Sequence, residues 1–261
     1  MFKSEFLRIK ASVRAKWIIL IMMLIPMISL LEGIYWEYII YFIGGAVPVR
    51  SNMAHPCMRA FLSGMSNSQI SQMLLIWLLP VFLLIVYDDE YLIDKNNNCF
   101  HLILSRCDKK QVYFTRLTTS FFVGFILVLI TVATNFILSV LLFHGGQSFF
   151  GLESNAVIGK ELQHPYLFYI VKTLFFSLIS GILSVFCQAV SYIVKNLKFT
   201  YFICSFFWII MILSPYSITY CIQPFIEYGI KYVVVGMAIF MTVSVIFIFL
   251  TYEYKVRSDE L

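Results

Sequence analysis

Six stretches of the chain contain no Asp, Glu, Lys or Arg: Trp17–Leu31, Ala60–Tyr87, Leu117–Leu152, Thr173–Val194, Phe199–Ile226 and Tyr232–Tyr252. All but the first exceed the ~18 apolar residues that read as a membrane-spanning helix. Trp17–Leu31 covers only about 22 Å at 1.5 Å per residue, so its helix must continue past Glu32. The rings of Tyr35, Trp36, Tyr38 and Tyr41 then place its far end at a membrane–water interface. Leu117–Leu152 is long enough for two helices, but His144-Gly145-Gly146-Gln147 breaks it after one span and leaves Phe149 and Phe150 at the outer surface. The pattern predicts an all-α polytopic membrane protein with six transmembrane helices, one transmembrane domain over residues 1–261.

Two segments outside the spans have patterns of their own. Phe2, Phe6, Ile9 and Val13 recur at intervals of four, three and four, while Lys3, Arg8, Lys10 and Arg14 lie mainly off that stripe. This predicts an amphipathic helix within residues 1–16, lying on a leaflet through apolar burial and attraction to anionic lipid. Residues 88–116 form the longest polar connection, with five basic and five acidic groups. Inside it, Cys99-Phe100-His101-Leu102-Ile103-Leu104 is too short to span and predicts a short helix docked against a membrane face or a partner.

Composition agrees with membrane residence. The chain is 61% apolar and 13% charged, with a mean hydropathy of +0.87, against ~45–50% and ~25% in soluble domains. This excludes a soluble enzyme, a disordered hub and a nucleic-acid-binding domain. The net charge of +5 reads as topology: 14 of the 19 basic residues fall on the side that holds both termini. By the positive-inside rule that side is the cytoplasm, and the protein is a multi-pass protein of the cytoplasmic membrane. The basic start ahead of Leu31 reads as an uncleaved anchor. The final Ser258-Asp259-Glu260-Leu261 would face the cytosol, where an ER-retention tail is not read.

Recognisable catalytic chemistry is sparse. There is no GxxxxGK[ST] and no HExxH, so neither a P-loop nor a zinc-protease motif is present. Gly64-Met65-Ser66-Asn67 matches a rhomboid-type serine turn only superficially, since His144 and His164 belong to other outer loops. Six cysteines lie at irregular spacing: Cys99 and Cys107 on the reduced cytosolic side, Cys187 and Cys204 within spans, and Cys57 and Cys221 as the pair able to meet outside. Asp88, Asp89, Glu90 and Asp94 form the one carboxylate cluster. It reads as the polar exit of a span, with a divalent-metal site for lipid chemistry as the alternative. Lys172 can snorkel from its span end. Glu32 and Glu37 are either interfacial or functional, because a carboxylate inside a membrane is costly.

The layout as a whole resembles the membrane subunits of type-2 ATP-binding-cassette exporters. Members of that family have a cytoplasmic elbow helix, six spans and an acidic-to-basic coupling segment between the second and third. In those positions this chain carries Asp89-Glu90, Leu102–Leu104, Arg106 and Arg116, with Leu92-Ile93-Asp94 and Ser105 where the family often has Gly-Thr and Pro. The resemblance implies an elbow bearing Phe2, Phe6, Ile9 and Val13. It also implies a coupling helix whose Leu102, Ile103 and Leu104 fill a groove on the ATPase, with Arg106, Lys109 and Lys110 at the rim. Ser214-Pro215 and Gln223-Pro224 would bound a re-entrant outer hairpin. The function implied is a bacterial permease half for an amphipathic peptide or lipid-like substrate, as in bacteriocin export or immunity. The chain itself would be no enzyme and hold no cofactor; ATP and Mg would sit on separate ATPase subunits. Its partners would be those ATPases, a second permease chain and the bilayer. A non-transporting scaffold or sensor, and an integral-membrane lipid-modifying enzyme using Asp88, Asp89 and Asp94, are the alternatives.

Overall fold

In hydrocarbon every backbone N–H and C=O needs a partner within the protein, and a helix supplies one for each of its interior residues. The apolar stretches accordingly become helices. The computed structural model describes residues 2–43, 53–63, 69–97, 99–105, 107–149, 159–194, 196–225 and 228–257, and among them no β-strand occurs. Helix α1 covers Phe2–Ala11. Ser12 then turns extended, and its hydroxyl accepts the Ala15 N–H at 3.3 Å, which caps α2, Val13–Ile34. The expected N-terminal helix is therefore shorter than residues 1–16, and Val13 opens the first span instead of closing the amphipathic stripe.

Helix α2 passes Glu32 and widens into a π-turn over Tyr35–Ile39 before α3, Ile40–Ile43. Helix α4 is Pro56–Arg59, and α5, Gln69–Leu83, ends in a second π-turn over Leu84–Asp88. Two short helices follow, α6 (Glu90–Asn96) and α7 (Cys99–Leu104). Then come α8 (Lys109–Leu142), α9 (Gly159–Leu162), α10 (Pro165–Ile193), α11 (Leu197–Leu213), α12 (Thr219–Ile222) and α13 (Ile230–Arg257).

Five helical segments are long and apolar enough to cross a membrane: Val13–Ile39, Ile70–Asp88, Lys109–Leu142, Pro165–Ile193 and Ile230–Arg257. The stretch expected as a further span, Phe199–Ile226, yields the 17-residue α11 and, after a break, the four-residue α12. Helix α11 is about 25 Å long against a hydrocarbon core of ~30 Å. Helix α8 ends at Leu142, and Gly145 turns the chain with φ 92°, so the expected break in the long apolar stretch is where the glycines stand. Phe149 stacks on the His55 ring at 4.6 Å and is only half-exposed; Phe150 lies outside the described residues.

The bundle centres on α10, which packs against α5, α8, α11 and α13. Its contact with α8 is close because two glycines meet there. A Cβ at Gly124 would lie 2.8 Å from the Ser180 carbonyl oxygen, and one at Gly181 would lie 2.9 Å from the Phe121 ring.

The second expected span was drawn from Ala60, but its helix begins only at Gln69. Met53–Ser63 is instead a largely buried segment inside the bundle. Its irregular backbone is satisfied by side chains from the spans. Asn135 accepts the Phe61 N–H at 3.0 Å, Tyr169 accepts the Leu62 N–H at 3.2 Å, and the Gln72 amide donates to the Leu62 carbonyl at 3.0 Å. Proline 80 is handled likewise. Lacking an N–H, it leaves the Ile76 carbonyl without its helical donor, and the Trp208 indole donates there at 2.7 Å.

Candidate functional site

The π-turn at the end of α5 delivers four carboxylates to the end of the bundle where α1 lies. Asp88 is buried, and the hydroxyls of Ser120 (2.6 Å) and Ser184 (2.9 Å) donate to its two oxygens. These serines come from α8 and α10, one turn beyond the glycine crossing that lets the two helices approach. Asp89 accepts from the Tyr201 hydroxyl at 3.0 Å and faces Arg14 at 3.5 Å. Glu90 pairs with Arg14 at 3.3 Å and with Arg8. Asp94 is gripped by both nitrogens at the end of Arg8, at 2.6 and 2.5 Å, and by Arg116 at 2.5 Å.

Arg116 completes the network. Its guanidinium is buried, lies 3.8 Å from Glu5, and sits 5.6 Å from the Phe100 ring and 5.9 Å from Tyr91. Glu5 also accepts from the Tyr87 hydroxyl at 3.2 Å. Phe100, Tyr91, Tyr113 and Tyr192 form an aromatic cluster with Leu92, Val112 and Leu117. Three arginines and four carboxylates thus tie α1, the base of α2, α6 and the base of α8 into one latch.

Charge states follow from these contacts. Burial pushes Asp94 up, but hydrogen bonds from Arg8 and Arg116 outweigh it and hold the carboxyl below its usual range. The same bond with Asp94 raises Arg8. Burial pushes Asp89 up to about 6, opposed only in part by Arg14 and Tyr201. Its Oδ1 is buried without a hydrogen-bond partner among the described residues.

Residues expected to face a partner are placed unevenly. Asp89 and Glu90 are buried and engaged within the chain. The expected short helix is present as α7, where Phe100 anchors it and Ile103 and Leu104 pack half-buried beside the aromatic cluster. The Leu102 side chain and all of Arg106 lie outside the described residues. Lys109 is half-buried, and Lys110 is exposed at the start of α8. On α1, Phe2 and Phe6 are 39% and 41% exposed while Ile9 packs on the core, so the apolar stripe is left open towards lipid. Val13 is exposed on α2.

Glu5 and the inward role of Arg8 escape a reading of the sequence. The available signal was that Glu5 is the lone acidic residue of the basic start and borders the apolar stripe, three residues after Phe2 and four before Ile9. Among the described residues, no group of three or more His, Cys, Asp and Glu side chains is placed to hold a metal ion.

Comparison with known proteins adds one relative. The chain is 26% identical over 212 residues to "Uncharacterized protein YybM" of Bacillus subtilis (strain 168), an alignment covering 78% of this chain and 84% of that protein. No family model and no solved structure matches the chain.

At the opposite end, Glu37 and Arg59 form a buried ion pair, with Arg59 Nε donating at 2.8 Å. Glu37 sits in the π-turn of the first span, so its carboxylate is paired inside the protein, while Glu32 is half-buried. Cys57 and Cys221 are both buried free thiols, as are Cys187 and Cys204. Burial pushes Cys57 up to about 12, well removed from a reactive thiolate. Lys172 is likewise buried: it donates to the Tyr220 carbonyl at 3.0 Å rather than snorkelling to the surface.

Proposed function

We propose that the chain is the permease half of an ATP-driven exporter in a bacterial cytoplasmic membrane, with six crossings and both termini in the cytoplasm. Separate ATPase subunits would energise it, and a second permease chain, identical or sister, would complete the path. The sixth crossing is α11, short enough to require local bilayer thinning. The substrate is an amphipathic peptide or lipid-like molecule.

The observation that carries this reading is the arginine–carboxylate latch. A motor that pushes α6–α7 does useful work only if the push reaches the spans, and the latch joins α6 to α1, α2 and α8. The buried Arg116–Asp94 pair, which Arg8 also grips, is costly to break, so α1, α6 and α8 move as a body, as rigid-body alternating access requires. Arg14, half exposed, adds a weaker tie to α2. Position 102 on α7, position 106 after it and Lys110 on α8 remain the contact candidates.

The test is co-purification of a stand-alone ATPase with the tagged protein, in wild type and in Leu102→Asp and Lys110→Glu variants. We expect a stoichiometric ATPase in wild type, its loss in Leu102→Asp, and a salt-dependent weakening in Lys110→Glu. A stoichiometric ATPase retained by both variants overturns the contact assignment. Absence of any ATPase from wild type overturns the transport reading in favour of a scaffold.

A further inference from the structure

Between α10 and α13, at the end of the bundle opposite α1, lies a cavity of about 880 Å³. That is the size of a small-molecule site. Its lining is graded along the helix axes. Lys172 stands seven residues into α10 and Met241 eleven residues into α13, about 10 and 16 Å from the helix starts. Glu161, Lys172 and Tyr228 line the end nearest the helix starts; Phe175, Met237 and Met241 line the deeper part. Phe175 and Val234 are themselves exposed on the outer faces of their helices, so the cavity opens sideways towards lipid.

The cation at the polar end is under-used. Lys172 is 7% exposed. Its ammonium has three donors, of which one meets the Tyr220 carbonyl at 3.0 Å, and the group sits 5.5 Å from the Phe168 ring. Among the described residues no carboxylate lies within ion-pair distance of it. Glu161, on α9, instead accepts the Phe225 N–H at 3.0 Å, where the backbone adopts φ 57°. Glu161 attracts the ammonium only from beyond ion-pair distance, and a buried ammonium with so loose a counter-charge is expensive. An incoming anion would remove that cost while an apolar tail fills the space below.

We propose that this cavity binds one amphiphile with a phosphate-bearing anionic head, the head on Lys172 and the acyl chain running between α10 and α13 towards Met241. The site would lie in the leaflet opposite the one α1 rests on. Free phosphate shares the head's chemistry but lacks the chain, and the two sources separate by experiment. The proposal is independent of the transport reading, because the assay contains no ATPase.

The full-length protein, purified in non-ionic detergent, is titrated with dihexanoyl phosphatidylglycerol and with inorganic phosphate, and occupancy is read by native mass spectrometry. We expect saturable binding of the lipid and at least about tenfold weaker binding of phosphate. Lys172→Met should weaken the lipid about tenfold or more, and Lys172→Arg should stay within about threefold of wild type. Ala238→Trp, which fills the cavity and keeps the cation, should weaken it as much as Lys172→Met. Lipid binding unchanged in Ala238→Trp overturns the proposal, as does phosphate binding as tight as the lipid's. If Lys172→Met does not fold, the contrast between Lys172→Arg and Ala238→Trp decides: equal affinities overturn it.

Discussion

Asp89 is the residue whose surroundings are least balanced. One of its oxygens has Tyr201 and the edge of Arg14, the other has no hydrogen-bond partner among the described residues, and burial lifts the carboxyl to about 6. Against about 3.9 in an unfolded chain, the folded state holds the proton more tightly. Stability therefore rises as pH falls from 7.5 towards 5 and is lost again as pH climbs through about 6. Linkage puts the gain at about 1.4 kcal/mol between pH 7.5 and 5. Thermal melting in detergent should show this gain in wild type relative to Asp89→Asn, and parallel pH profiles for the two proteins would refute it. The carboxylate cluster itself was legible, because four acids within seven residues at a span end stand out in an apolar chain. Its counter-charges were not. Arg8 meets Asp94 across 86 positions, and no local pattern distinguishes an arginine turned inward from one resting on lipid headgroups.

Among the elements, the crossing of α8 and α10 does the most to hold the site together. It brings Ser120 and Ser184 to 2.9 Å from each other and both onto Asp88. A helical Gly→Ala change normally stabilises by about 0.5–1 kcal/mol, but a Cβ at Gly124 would press into α10 at 2.8 Å. Overpacking costs about 1–3 kcal/mol, so the clash wins. Gly124→Ala should lower the melting temperature in detergent, and Gly124→Val should lower it further; a rise in either would refute the close-contact argument. Apolar run length located the long helices: α13 covers its stretch, α8 stops at the expected glycine break, and α8 and α10 each begin about two turns before theirs. It misplaced the start of α5 because Ala60–Ser63 is as apolar as a span yet is folded back. The cause is tertiary: Asn135, Tyr169 and Gln72 satisfy that backbone from other helices, and run length carries no trace of them.

At the scale of the molecule, the basic latch end and the end holding Lys172 lie on opposite sides of the bundle. In the proposed orientation, with the latch end cytoplasmic, a cysteine replacing exposed His144 should react with an impermeant maleimide in intact cells, and one replacing Lys110 only after permeabilisation, each in a cysteine-free background. The reverse pattern would invert the topology. The latch also sets an order of assembly during synthesis. Arg8 leaves the ribosome 86 residues before Asp94, roughly 4–17 s earlier at ordinary elongation rates of about 5–20 residues per second. Throughout that interval α1 has neither its carboxylates nor the base of α8 to dock on. Phe2 and Phe6, which remain exposed in the finished fold, leave the waiting helix an apolar face that a membrane surface would hold. The first helix can therefore lock only when the third long helix begins to emerge, so closure of Arg116 onto Asp94 and Glu5 reports that this helix has arrived.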